Sequence, residues 1–161
     1  RSNQWSKSVI EEVIVSDAKE ELKRADHSIY VTLKYTKTAD VIKNIIKRLI
    51  VAFDFAIEDC IELLRRKKKI KEIPASKRGK AQEIMKIVPK TKEYLQLYLL
   101  FRKIDVAPFQ KKEEYRKNLT LIAEISLKEK KEVNIDALRH YFVKTNEFVE
   151  FVEAMKVNFP R

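Results

Sequence analysis

Glycine is almost missing from this chain: Gly79 is its only one. Ordinary usage of about 7% would give roughly eleven. Glycine-rich phosphate loops, dinucleotide-binding turns, nucleophile elbows and tight-turn β-barrels all need glycine where φ is positive or where backbone approaches a ligand. All are excluded on that ground. Cysteine is represented by Cys60 alone, so no internal disulfide forms and a reducing, intracellular setting is expected. The two histidines, His27 and His140, fall into no HExxH or Cys/His ligand spacing. The sequence therefore offers no metal site and no cofactor. No apolar run approaches the roughly 18 residues of a membrane span. The longest, around Ile45 to Ile50, is broken by Lys47 and Arg48. No signal-peptide pattern opens the sequence, so a cytoplasmic location and no membrane partner are expected.

What is abundant is charge and aliphatic bulk. The chain has 161 residues, 45% hydrophobic and 37% charged, with a net charge of +11. That is one domain's length and composition, and a single helical domain over 1–161 is the expectation. It holds 25 Lys, 17 Glu and 17 Ile but only four Gln and two Met. This skew is the thermophile trend and suggests an archaeal source, although an AT-rich genome favours the same residues.

Apolar spacing predicts mostly helix. Ile10, Ile14, Ala18, Leu22, Ala25, Ile29 and Leu33 form a helical stripe within 6–35, with Ser16 and Asp17 suited to cap a restart. Ile29 to Tyr35 also alternates like a strand, but the stripe enters that stretch in register. Thr38 is a candidate N-cap for a second helix of about 30 residues, roughly 45 Å long. It has a wide apolar face from Val41 to Leu64 and ends in Arg65 and Arg66 with lysines beyond, where positive charge suits the dipole. With only Thr36 and Lys37 between them, the two helices should fold back as an antiparallel hairpin, unless they fuse into one rod.

After a connector over 70–80 come short helices at 81–88 and 92–104, the second capped by Thr91, a turn at 105–108, and a short helix at 109–117. The stretch 119–135 fits a small β-hairpin and a helical stripe about equally. A last helix begins at Asn134 or Asp136 and carries Leu138, Tyr141, Phe148 and Val152 on one face. The fold class expected is all-α, an antiparallel helical bundle with a β-hairpin as the alternative at 119–135.

Most chemistry-bearing residues have a plain structural explanation. Cys60 sits on the apolar face between Ile57 and Ile61, where a thiol is a small hydrophobe. Glu11-Glu12, Glu20-Glu21, Glu58-Asp59 and Glu113-Glu114 are sequence neighbours, and adjacent helical side chains do not face one another. Tyr94, Tyr98 and Phe101, like Tyr141, Phe142, Phe148 and Phe151, have the spacing of core stripes rather than of a base-stacking platform. No catalytic residue is assigned.

The charge distribution stands apart. Arg65, Arg66, Lys67, Lys68, Lys69, Lys71, Lys77, Arg78 and Lys80 share 65–80 with a single acid, Glu72. That segment carries +8, leaving +3 for the other 145 residues. Concentrated positive charge beside a loop can track a phosphate backbone; a solvated helix end is the alternative. A smaller cluster, Lys111, Lys112, Arg116 and Lys117, is diluted by Glu113 and Glu114.

The stretch from Arg24 through Asp26, His27, Tyr30, Tyr35 and Asp40 to Ile42 resembles that of small uncharacterised archaeal helical proteins. Two long helices followed by shorter ones are similar in layout to HEPN bundles, a resemblance covering mainly the first 70 residues. It implies an RNA-binding or RNA-cutting role, usually as a dimer. The HEPN signature is an Arg followed four to six residues later by His. Here Arg139 and His140 are adjacent and Arg24 precedes His27 by three, so no catalytic residue carries over. Three functional expectations follow: a non-catalytic nucleic-acid (RNA) binding module using the basic segment, a homo-oligomeric or partner-binding module using surplus apolar surface on the second helix, and a HEPN-type ribonuclease with an altered site.

Overall fold

The computed structural model describes residues 16–34, 38–112 and 119–158. Among them are five α-helices: α1 (Asp17–Lys34), α2 (Ala39–Arg66), α3 (Lys77–Ile87), α4 (Lys92–Val106) and α5 (Ile135–Asn158). A 3-10 turn, Pro89–Thr91, joins α3 to α4. Three strands, β1 (Phe109–Lys112), β2 (Thr120–Glu124) and β3 (Lys130–Asn134), form an antiparallel sheet in the order β1-β2-β3.

Helix α2 is the axis of the molecule. It packs against α1, α3, α4, α5 and β2. Its i, i+3, i+4 apolar pattern is so wide that Ile42, Ile45, Ile46, Leu49 and Phe53 are all fully buried. Phe53 sits in an aromatic cluster, with ring centroids 5.3 Å from Tyr98, 5.9 Å from Phe101 and 5.1 Å from Phe148. Along α1 and α2, Glu21 lies 3.5 Å from Arg48, and Ser28 shares a groove with Val41 and Asn44, so the pair runs in opposite senses.

Local chemistry sets the boundaries. The Ser16 hydroxyl accepts from the Lys19 amide at 3.2 Å and starts α1. The part of the first stripe before Ser16 lies outside the described residues. Thr38 is at the N-cap position of α2 with extended backbone, but its side chain makes no capping bond. Asn134 Oδ1 accepts from the Ala137 amide at 2.8 Å and caps α5. Thr91 does not cap α4: its backbone is helical, and its buried hydroxyl donates to the Val88 carbonyl at 2.7 Å. The connector is shorter than 70–80, because α3 already begins at Lys77.

The described residues are mostly helical, and the stretch 119–135 takes the hairpin alternative, enlarged by β1 to a three-stranded sheet. Leu119, Leu121, Ala123 and Val133 are buried, and Leu121 pairs with Val133, so the alternating face turns to the core. The loop from β2 to β3 spans five residues and needs no positive φ, which is how a hairpin forms without glycine. The helix expected at 109–117 is a strand at Phe109–Lys112, with Gln110 paired to Ile122; 113–118 lie outside the described residues.

Candidate nucleic-acid interface

Helix α2 must end where its basic run begins, and with no glycine at hand it ends on lysine. Lys67 takes φ −85°, ψ 4°, and Lys68 adopts φ 60°, the only positive φ at a non-glycine among the described residues. The Lys68 amide donates to the Arg65 carbonyl and the Lys69 amide to the Leu64 carbonyl, both at 2.9 Å. This pair of bonds is a Schellman closure with lysine in the left-handed position that favours glycine. Ile70 then returns to the core. At the far end of the segment, the Ser76 hydroxyl accepts from the Gly79 amide at 2.9 Å and caps α3. The segment is thus a bend between two helix ends, not a trailing loop.

Three of its nine cations are held by carboxylates. Arg65 pairs with Glu62 one turn earlier. The Arg65 hydrogen bond holds the Glu62 carboxyl below its usual range, with desolvation opposing and the charges of Arg65 and Arg66 adding. Lys77 reaches Asp54 at 3.2 Å and Lys80 reaches Glu58 at 2.6 Å, both back on α2. Arg66, Lys68, Lys69, Lys71 and Arg78 are exposed and make no ion pair within 4.0 Å of a described carboxylate, the Arg66 charge reaching Glu62 only at longer range. Lys67 is exposed beside them. In the smaller cluster, Lys111 and Lys112 lie on β1, and Arg116 and Lys117 fall outside the described residues.

The remaining candidates separate cleanly. Cys60 is fully buried, and desolvation, then the Asp59 charge, pushes its thiol up to about 12, so it is no nucleophile at neutral pH. His27 and His140 are exposed on α1 and α5. No cluster of three metal-ligating side chains occurs among the described residues. None of the helices searched there is long and apolar enough to cross a membrane. Arg139 lines a small cavity of about 310 Å³ with Asp26, between α1 and α5. The apolar face of α2, expected to leave surplus surface, is covered within the chain, with Phe55 its one large hydrophobic side chain counted as exposed, at 38%.

Sequence reasoning missed one feature. Beside Lys67 and Lys69 lies an apolar groove of about 450 Å³, formed where the ends of α2 and α3 meet the last turns of α5. Its residues come from three distant parts of the chain, so no single-element pattern signals it. No family model, curated protein or solved structure matches this chain.

Proposed function

We propose that the protein binds nucleic acid, RNA foremost, through the bend from Arg65 to Lys80 and without catalysing a reaction on it. The observation that carries this reading is the set of five exposed cations, Arg66, Lys68, Lys69, Lys71 and Arg78, that make no ion pair with a described carboxylate. Unpaired cations on one bend are available to displace counterions from a phosphate backbone, and lysine-rich contacts of this kind carry little sequence preference.

The test is fluorescence anisotropy with a labelled structured RNA and a labelled duplex DNA across a salt series. Five phosphate contacts give a log–log salt slope of about −4 to −5 on a duplex. A variant with those five residues changed to Gln should lose both affinity and slope. A control with Lys86, Lys92, Lys103, Lys128 and Lys130 changed to Gln has the same net charge, +11 less five, and should retain both. Equal loss in the two variants, or no binding by wild type near physiological salt, rejects the reading.

A second reading, self-association, is favoured by one observation. Tyr30 and Val143, 53% and 49% exposed, flank the small cavity between α1 and α5. Sedimentation equilibrium that returns the monomer mass at every concentration rejects it.

A further inference from the structure

The groove at the end of α2 has a floor of one chemistry and a rim of another. Leu64, Ile87, Val88, Phe151 and Met155 supply apolar surface. The three charged side chains that line it are all lysines: Lys67, Lys69 and Lys90. Lys69 and Lys90 are exposed and make no ion pair with a described carboxylate. Lysines placed this way lay their methylene stems along an apolar wall and hold their ammonium groups at the mouth. A volume of about 450 Å³ falls in the range of small-molecule sites, roughly 300 to 1,000 Å³.

We propose that this groove binds a free long-chain carboxylate, its alkyl chain on the apolar floor and its carboxylate between Lys69 and Lys90. Charge complementarity selects the occupant. A neutral alkyl ligand leaves Lys69 and Lys90 unused, and a cationic one meets their like charges. The site does not depend on the nucleic-acid reading, but the two share Lys69. A bound carboxylate therefore neutralises part of the basic bend, and nucleic acid and fatty carboxylate compete.

The experiment is isothermal titration calorimetry of the full chain with dodecanoate below its micelle concentration, alongside dodecyl maltoside and dodecyltrimethylammonium. The expected result is saturable one-to-one binding of dodecanoate and none of the cationic amphiphile. Changing Lys69 and Lys90 to Gln should weaken it about tenfold, as the loss of charge-assisted contacts does. Met155→Trp, which fills the groove, should abolish it, with far-UV circular dichroism reporting that the fold is kept. Binding of dodecyl maltoside with equal affinity, dodecanoate binding unchanged in the Lys69/Lys90 variant, or no saturable binding overturns the proposal. So does a concentration-dependent dimer that Met155→Trp dissociates, because a second copy then covers the groove. Absence of RNA binding by wild type, with dodecanoate binding intact, sinks the nucleic-acid reading alone.

Discussion

The hydroxyl of Tyr98, a fully buried residue on α4, donates a 2.6 Å hydrogen bond to Asp54 Oδ1 on α2. The other carboxylate oxygen of Asp54 accepts from Lys77 Nζ at 3.2 Å, and Arg102 donates to the Tyr98 oxygen at 3.4 Å. One carboxylate thus ties α2, α4 and the first turn of α3 together. Burial, then the Asp54 hydrogen bond and charge, push the phenol above its ordinary range, so it remains a donor at any physiological pH. A hydrogen bond to a charged group contributes about 1.5–3 kcal/mol. Tyr98→Phe is expected to lower stability by about that amount in urea unfolding. A double-mutant cycle with Asp54→Ala should show coupling above about 0.5 kcal/mol; strict additivity contradicts the link.

Lys68 occupies a left-handed position at the end of α2. A side chain there costs about 1–2 kcal/mol relative to glycine, partly offset by glycine's greater freedom in the unfolded chain. Lys68→Gly is therefore expected to stabilise by about 1 kcal/mol, a rise in the urea midpoint at constant slope. A fall in the midpoint contradicts the Schellman geometry.

Gly79 has the opposite logic. It lies in the first turn of α3 without a positive φ, where alanine is ordinarily the better helix former by about 1 kcal/mol. A Cβ added there, however, would lie 2.9 Å from the Ser76 hydroxyl and 3.0 Å from Pro74 Cβ. The crowding displaces the cap that starts the helix, and overpacking costs about 1–3 kcal/mol. Gly79→Ala is expected to lower the melting temperature, whereas a rise indicates that Ser76 and Pro74 yield freely.

Cys60 titrates near 9.0 as a free thiol and at about 12 in the fold. The folded protein holds its proton where the unfolded chain has lost it. This contribution to stability is complete below pH 9 and is lost as pH rises toward 12, at up to about 1.4 kcal/mol per pH unit. Between pH 9 and 11, wild type should lose stability more steeply than Cys60→Ala, measured by denaturant unfolding at each pH. At pH 8 a thiol reagent should label Cys60 only on unfolding; rapid labelling of the native protein contradicts its burial.

Several features were legible because they are local. The α2 pattern runs for 28 residues with one period, and Ser16 and Asn134 sit immediately before the turns they cap. The strand β1 was not legible. Phe109-Gln110-Lys111-Lys112 has no alternating pattern of its own, and it is extended because β2 offers an edge for Gln110 to pair with Ile122. Thr91 reads as a cap by residue type, yet its hydroxyl goes back to Val88 because the 3-10 turn brings that carbonyl within 2.7 Å.

The candidate site divides the same way. Sequence by itself determined that +8 of charge lies in 65–80, because covalent order places those residues together. It also determined that α2 must close without glycine, since the only one lies beyond it. Only tertiary structure decided which cations remain available. Lys77 and Lys80 are neutralised by Asp54 and Glu58, 23 and 22 residues earlier, and those pairs exist because α3 packs on α2. The apolar groove is tertiary throughout. Leu64, Val88 and Met155 are each ordinary apolar residues on their own elements, and they become one surface where three chain segments converge beside the lysines.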